Sequence, residues 1–354
     1  MRSGFLASLT LSLCCALTSA DVAAGAGAAH DALERAPVFP RAHWKNRTAA
    51  ALDLDGSVLD AFVAKVGGSG IIVRHGYIVR SWGVVDERLD WASALKSLLG
   101  TLLFLAIDEG TLSGVHQTIA ADWPDLKVPD RRITFHHLAN NISGYAMPDR
   151  PGKAWSYNDN GIRLLCESLR KVYGGRTVAQ AIRKRLRRLK LEDGLSGARE
   201  RCGVLISVRD FARVGWLWLN RGIWRKRQVI ADGHFSDSVR VQVPGPMAVA
   251  RATACNDYLG VGTFGGECSQ TPFGPGIFGY TWWFNGIVGG SQRRAWPAAP
   301  VDTYVADGDW DARIVVVIPS LDMVAVTQQQ NDNVAPDLGR MNGKLELLAK
   351  AVLD

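Results

Sequence analysis

Ser93 and Lys96 stand three residues apart near the start of the segment DWASALKSLLGTLLFLAIDEG, which begins at Asp90. On a helix this spacing places both side chains on one face, one turn apart. Burial and the positive N-terminal end of a helix both lower the pKa of a lysine, and a neutral amine can accept the proton of a neighbouring serine hydroxyl. The pair therefore predicts a serine nucleophile with a lysine base. The alternative is a helix-capping serine and a lysine whose ammonium reaches solvent.

The helix that carries this pair is expected to be buried on most sides. About ten consecutive apolar or small residues follow Ser97, without the polar stripe of a surface helix. The run is too short to cross a bilayer. A buried lysine at the start of such a helix costs free energy unless its charge or its lone pair is used, and this favours a functional role for Lys96.

Four further motifs follow the Ser93 segment in order: ITFHHLANNISGY, PGKAWSYNDNGIRLL, GVLISVRDFARVGWLWLNRGIW and VVVIPSLDMVAV. Together with Ser-x-x-Lys they resemble the penicillin-recognising serine hydrolases, which include class C β-lactamases, D-Ala-D-Ala carboxypeptidases and related esterases. The resemblance covers roughly residues 40 to 350. It implies an α+β fold of the β-lactamase/transpeptidase-like type, with an antiparallel sheet flanked by helices and an inserted all-helical lobe.

The resemblance also implies roles for individual residues. Ser93 is the expected acyl-accepting nucleophile, Lys96 its base or electrostatic partner, and Tyr157 the residue that assists proton transfer to the leaving group. Asp159 occupies the position of the family's Asn, where it can accept a hydrogen bond from Lys96 but cannot donate one to a substrate amide. The alternative for Tyr157 is a half-buried tyrosine near a helix whose cap is Asp159 or Asn160.

The third family motif, Lys or His followed by x-Gly, has its best counterpart in Asp309-Trp310-Asp311. Asp309 in place of the cation would repel a substrate carboxylate, which argues against β-lactamase and carboxypeptidase action and leaves neutral esters or amides. The backbone N–H of Ala312 is expected to form the oxyanion hole with that of Ser93. The alternative is that Asp309 and Asp311 are solvated loop acids.

Two other patterns are interpreted as structural. The stretch GVGTFG from Gly260 to Gly265 fits the dinucleotide-binding pattern, but no βαβ unit surrounds it, so a Gly-rich surface loop is favoured. The adjacent His136 and His137 lack an acidic partner at ligand spacing. We therefore predict neither a metal nor an organic cofactor.

The N-terminus predicts an exported protein, and export in turn permits disulfides. A basic start, an apolar core and a small-residue end predict a signal peptide over residues 1–20, followed by a low-complexity linker over residues 21–39. Of the four remaining cysteines, Cys255 and Cys268 lie closest together and are the expected disulfide, although three pairings are open. Four unpaired buried thiols are the alternative for Cys166, Cys202 and this pair.

Charge excludes one class of partner. The net charge is +7, yet no Lys/Arg block is interleaved with aromatic residues, so nucleic-acid binding is not expected. The densest basic stretch covers residues 183–190 and is interpreted either as a solvated helix face or as a contact surface for cell wall or lipid head groups. No membrane span is expected after signal cleavage.

These inferences combine into one hypothesis. Residues 40–354 form a serine hydrolase domain, with an α/β lobe over 40–92 and 275–354 and a helical lobe over 93–274. The protein is expected in the periplasm or outside the cell, where it hydrolyses a small-molecule or peptide-like ester or amide through an acyl-enzyme. An esterase type is favoured over a β-lactamase. The alternative is a catalytically weak homologue that binds cell-wall material or another ligand in the same cleft.

Overall fold

The computed structural model describes residues 37–198, 201–270, 273–329 and 335–353. The predicted signal peptide and residues 21–36 of the predicted linker lie outside this part of the chain. The described α-helices are α1 Gly56–Val66, α2 Lys96–Asp108, α3 Phe135–Ala139, α4 Asp159–Val172, α5 Val178–Arg185, α6 Val208–Leu219, α7 Asp232–Ser238 and α8 Leu338–Lys350. The strands are β1 Ser69–Arg74, β2 Tyr77–Trp82, β3 Leu89–Asp90, β4 Ala154–Trp155, β5 Leu195–Gly197, β6 Val204–Ile206, β7 Ile223–Trp224, β8 Arg227–Gln228, β9 Ala248–Val249, β10 Phe278–Gly279, β11 Trp282–Phe284, β12 Tyr304–Gly308, β13 Arg313–Ile318 and β14 Met323–Gln328.

A seven-stranded antiparallel sheet joins the two ends of the described chain, in the order β10-β11-β12-β13-β14-β1-β2. The predicted hairpin around His75-Gly76 forms β1 and β2, and β1 pairs with β14 from Ser69↔Gln328 to Arg74↔Met323. The expectation that both ends share one sheet is therefore confirmed. Strand β12 was not recognised as a separate strand from the sequence.

Helices cover both faces of this sheet. Along β13, Val315 and Val317 belong to the core on the α6 side, whereas Ile314 and Val316 belong to the core on the side of α1 and α8. A strand that is buried on both faces does not alternate between apolar and polar residues, which explains the continuous apolar run of β13. The close packing of α6 depends on Gly215, where a Cβ would lie 2.8 Å from Val324.

The middle of the chain carries α2 to α7, and it also contains short strands. The most important are β5 and β6, which form a three-stranded sheet with β3 in the order β3-β6-β5. The α+β fold with an antiparallel sheet and flanking helices is confirmed, but the inserted segment is not purely helical. Residues Pro37–Asp354 form one compact unit, so the boundaries of the two predicted lobes stay predictions.

Two disulfides tie this middle segment together. Cys255 pairs with Cys268, as predicted, and Cys166 pairs with Cys202. The first closes a Gly-rich loop, and the second ties α4 to the loop that precedes β6. Among the described residues, we find no helix with the length and apolar character that a bilayer span requires.

Candidate active site

Ser93 lies in a tight turn rather than inside a regular helix. It belongs to a 3-10 turn, Ala92–Leu95, which leads directly into α2 at Lys96. Ala92 has a φ of 45°, an uncommon value for a residue with a Cβ, and its N–H donates to Asp90 Oδ1 at 2.8 Å. The turn is anchored by the fully buried Trp91, whose indole N–H donates to Ile206 O at 2.8 Å. Ser93 is therefore held, half-buried, at the N-terminal end of a buried helix.

The side chain of Lys96 joins three predicted site residues. Its Nζ lies 2.8 Å from Ser93 Oγ, 2.7 Å from Tyr157 OH and 2.5 Å from Asp159 Oδ1. Lys96, Tyr157 and Asp159 are 1%, 3% and 2% exposed, so water does not compete for these contacts. An ammonium has three N–H groups, whereas a neutral amine has only two and a lone pair. Three acceptors around one nitrogen fit the ammonium.

The expectation of a neutral lysine is therefore wrong for the resting protein. Burial lowers the pKa of Lys96, but the charge of Asp159 and the hydrogen bonds with Asp159 and Tyr157 outweigh it, and the pKa lies above its ordinary value. Burial also raises the pKa of Tyr157, with Lys96 opposing this shift. The resting site holds a protonated Lys96 beside a neutral Tyr157. Contact with the Asp159 carboxylate outweighs the burial and the helix-end field that would favour a neutral lysine.

Tyr157 and Asp159 are positioned by backbone pairing and by a helix cap. The N–H of Tyr157 donates to Gln270 O at 2.8 Å, and that of Gln270 returns a bond to Tyr157 O at 3.0 Å. The cap of α4 is Asn158, whose side chain accepts from Gly161 N at 2.8 Å. Asp159 and Asn160 do not cap this helix, contrary to the alternative from the sequence. The Asp159 carboxylate is thereby available to Lys96, and it also accepts from Gln270 Nε2 at 3.2 Å.

The strand beside the nucleophile turn is β12. At its end, a Cβ on Gly308 would lie 2.3 Å from Trp91 O and 3.0 Å from Ala94 N, so only glycine permits this approach. The next three residues, Asp309, Trp310 and Asp311, have φ values of 52°, 53° and 75°. Three consecutive left-handed residues reverse the chain into β13. The side chains of these neighbouring residues therefore point in different directions.

Ala312 does not lie where the sequence placed it. It is fully buried, and its N–H donates to Asp309 O at 3.4 Å inside the turn. Asp311 is buried as well: its carboxylate contacts Arg340 Nε at 2.5 Å and Lys344 Nζ at 2.7 Å, both on α8. The predicted oxyanion role of Ala312 is therefore wrong, as is the alternative of a solvated Asp311. Both follow from a turn that points these residues away from Ser93.

Asp309 does line the cleft with Ser93, as predicted. Its carboxylate lies 3.1 Å from Arg313 Nε, and its side chain is 32% exposed. The negative charge is therefore partly compensated, and the repulsion of a substrate carboxylate should be weaker than an isolated Asp309 would produce.

The cleft at Ser93 has a volume of about 450 Å³, and its other walls were not foreseen. Aromatic side chains contribute Phe264, Trp283 and Trp310, and Asp307 adds a further carboxyl group. Burial raises the pKa of Asp307 to about 7, although its Oδ1 accepts from Asp311 N at 2.6 Å. Phe264 and Trp283 come from distant segments, and no local signal in the sequence connects them with Ser93, whereas Asp307 and Trp310 flank the predicted Asp309.

Both disulfides support walls of this cleft. Phe264 lies within the loop closed by Cys255 and Cys268, and Cys202 itself lines the opening. The stretch GVGTFG is thus part of an irregular cleft wall, in keeping with the interpretation as a loop.

His136 is partly buried and contacts Tyr280. His136 Nδ1 lies 2.8 Å from Tyr280 OH, and burial lowers its pKa to about 4. Within the described ranges, no group of three or more His, Cys, Asp or Glu side chains is arranged to hold a metal ion.

Comparisons with known proteins bear on the family and on the fold. A family model described as Beta-lactamase matches residues 53–201, which include Ser93, Lys96, Tyr157 and Asp159. No curated protein matches the chain. A putative 6-aminohexanoate-dimer hydrolase from Bacillus anthracis is similar in structure, with a TM-score of 0.62 and 16% identity over 88% of this chain and 87% of its own.

Two further solved structures share the fold. A β-lactamase from Mycobacterium bovis has a TM-score of 0.59 and 16% identity, over 84% of this chain and 100% of its own. A family VIII carboxylesterase has a TM-score of 0.60 and 13% identity, over 86% and 98% of the two chains. The family match and the shared architecture confirm the resemblance seen in the motifs: this chain has the β-lactamase/transpeptidase-like fold of the penicillin-recognising serine hydrolases.

Proposed function

We propose that this protein is an exported serine hydrolase that acylates Ser93 with an ester or amide substrate and then releases the acyl group to water. The observation that carries the proposal is the contact of Lys96 with both Ser93 Oγ and Tyr157 OH, at 2.8 and 2.7 Å, beside a cleft of about 450 Å³. A nucleophile next to a base that is itself oriented by a third group is the arrangement that covalent catalysis requires.

The proton path follows from these contacts. Lys96 must first lose a proton to solvent, and its neutral amine then takes the proton of Ser93 as Oγ attacks the substrate carbonyl. Tyr157 relays this proton to the leaving group as the carbonyl–leaving group bond breaks. Water attacks the acyl-enzyme in the second half of the reaction. The same groups accept its proton and return it to Ser93 Oγ as the bond between Oγ and the acyl carbon breaks. Asp159 opposes the first step because it stabilises the ammonium.

The oxyanion donors need reassignment once Ala312 is excluded. We place one donor at the N–H of Ser93 and the second in the backbone of the turn at Asp309 and Trp310, because these residues line the cleft where β12 lies against the nucleophile turn. A backbone donor tolerates the loss of the family's Lys or His side chain.

Charge favours neutral substrates. Among the described residues that line the cleft, none has a cationic side chain, whereas Asp90, Asp159, Asp307 and Asp309 contribute carboxyl groups. The ammonium of Lys96 lies behind this wall and is already paired with Asp159. A substrate carboxylate, which β-lactam and D-Ala-D-Ala substrates carry, would lack a partner there. Aromatic walls at Phe264 and Trp310 suit an apolar acyl or alcohol group. We therefore favour an esterase-like activity.

Export is supported by the two disulfides and by the predicted signal peptide. Disulfides persist in oxidising compartments and are rare in the reducing cytosol of most organisms. We accordingly propose a periplasmic or extracellular protein whose partner is a small-molecule or peptide-like substrate.

A second candidate function is a catalytically weak homologue that binds a ligand in the cleft, such as cell-wall material. The contact of Asp159 Oδ1 with Lys96 Nζ at 2.5 Å favours it, because a lysine held as an ammonium is a poor base.

Labelling with a fluorophosphonate separates the two functions. The enzyme should be modified stoichiometrically at Ser93, and it should hydrolyse p-nitrophenyl esters faster than nitrocefin or D-amino-acid amides. Ser93→Ala is the matched control, which should lose labelling and turnover while its unfolding curve is unchanged. Equal turnover in Ser93→Ala would reject the assignment. A wild-type protein that resists labelling would favour the binding function.

A further inference from the structure

A second concave surface lies on the helical segment, apart from the residues that line the Ser93 cleft. This basic groove has a volume of about 440 Å³ and contains four cationic side chains: Arg88, Arg183, Arg187 and Lys190. No carboxylate is among the described residues that line it. All four cationic side chains are exposed and therefore accessible to a ligand.

Three elements bring these cations together. Arg183 lies on α5, and Arg187 and Lys190 follow in the 3-10 turn and its left-handed end. Arg88 comes from another part of the chain, just before β3, and the sheet β3-β6-β5 carries it to the same place. Leu89 and Leu195 both pair with Ile206, from opposite sides of β6. This pairing brings Arg88, which precedes Leu89, close to Leu195 in the groove. The groove is therefore built by the tertiary fold as well as by one basic run.

The floor of the groove is apolar and fixed. Ile182, Leu186 and Leu195 are 0%, 1% and 2% exposed, and the guanidinium of Arg183 donates to Leu195 O at 2.6 Å. A rigid apolar floor with convergent polar groups is typical of a ligand site, whereas a solvated helix face is convex and mobile.

The charges of the groove are only partly compensated. Asp193 is the nearby acid that interacts with Arg88, but its carboxylate accepts from Ser207 Oγ at 2.6 Å and from Arg209 Nε at 2.7 Å. Within the part of the chain that the structure describes, Arg187 and Lys190 form no side-chain hydrogen bond or ion pair. The cationic side chains around the groove repel one another, and an anion bound between them would reduce this repulsion.

We propose that the basic groove binds a phosphate group, carried either by a soluble ligand or by a phospholipid head group. Three of the four cations are arginines, whose planar guanidinium matches phosphate oxygens in a bidentate manner. The function of the groove does not depend on hydrolysis at Ser93.

Two probes and two charge-reversal variants test this site on the full purified protein. Inorganic pyrophosphate in calorimetry represents a soluble ligand, and vesicles of phosphatidylglycerol and phosphatidylcholine, against phosphatidylcholine alone, represent a lipid. Arg187→Glu/Lys190→Glu alters the groove. Lys226→Glu/Arg227→Glu makes the same charge change at exposed residues of the β7–β8 hairpin and is the matched control.

We expect saturable binding of at least one probe, weakened about tenfold or more by the groove variant and less than twofold by the control. Pyrophosphate binding assigns the site to a soluble ligand, and binding of anionic vesicles alone assigns it to a lipid surface. Equal loss in both variants would show a non-specific effect of the net charge of +7 and would overturn the proposal. Failure of wild type to bind either probe would do the same.

Discussion

Replacing Asp159 by Asn should make Lys96 a better base. Asn has almost the same shape as Asp but no charge, so the substitution removes the ion pair and keeps an acceptor oxygen beside Lys96. Opposite unit charges 2.5 Å apart attract each other by about 7 kcal/mol at an effective dielectric of 20. If the substitution removes only a fifth of this attraction, the pKa of Lys96 falls by about one unit, and its neutral fraction at neutral pH rises about tenfold.

The Lys96–Asp159 pair also determines whether the rate of acylation rises or falls with pH. The wild-type pKa of Lys96 is raised, so its neutral form is scarce at neutral pH and the rate of acylation should rise with pH across the neutral and alkaline range. In Asp159→Asn, burial without a counter-charge lowers the pKa, and the rise should begin at lower pH. We expect labelling by fluorophosphonate at pH 7 to be about tenfold faster than in wild type.

The assay is the second-order rate of labelling between pH 6 and pH 10, measured on wild type, Asp159→Asn and Asp307→Asn. Asp307→Asn is the control, because it removes another carboxyl group of the same cleft. A folded Asp159→Asn protein with a slower rate, or with an unshifted pH profile, would refute the argument that Asp159 restrains Lys96. An equal shift in both variants would assign the effect to the general field of the cleft.

Three further outcomes are expected. Cys255→Ser/Cys268→Ser should lower the free energy of unfolding by roughly 2–3 kcal/mol in denaturant titrations and raise KM, because the disulfide closes a loop that carries Phe264; unchanged values of both would contradict this. Asp307 has a raised folded pKa, so its ionisation destabilises the fold as pH rises from about 4 to about 7; Asp307→Asn should raise Tm at pH 8 more than at pH 5, and equal changes would count against it. Asp309→Asn should reduce the preference for a neutral over a carboxylate-bearing ester by about tenfold or less in kcat/KM, because Arg313 already screens the charge; an unmoved ratio would show that Asp309 does not face the substrate.

The elements that position the nucleophile were predictable because they depend on local pattern. The hairpin at His75-Gly76 and the buried helix after Ser97 have clear periodicity and clear ends. The contacts among Ser93, Lys96, Tyr157 and Asp159 were indicated by ordered motifs, and the structure brings those four side chains together. The functional roles of these residues stay predictions until the kinetic experiments are done.

The predictions from the sequence were wrong where a single tertiary contact or turn determines the protonation state or the position of a residue. The charge of Lys96 depends on the distance to Asp159, which the sequence does not give. The position of Ala312 depends on three consecutive positive φ values at non-glycine residues, and the local sequence gives no sign of such a turn. Asp311 was misplaced for the same reason, since its partners Arg340 and Lys344 lie about thirty residues away on α8.

The backbone explains how a shared fold can carry altered chemistry. Ser93 is placed by the left-handed Ala92, by the anchored Trp91 and by the close approach of Gly308, and none of these contacts involves the side chains at 159 or 309. We infer that the scaffold can hold Ser93 in place while acidic residues stand at the two positions where the resemblance leads one to expect an Asn and a Lys or His. Asp159 compensates Lys96 inside the site, and Asp309 adds a carboxylate to the cleft. If the proposed hydrolase function is correct, we expect both acids to disfavour carboxylate-bearing substrates and Asp159 to slow the reaction at neutral pH, and one substitution at each position tests this.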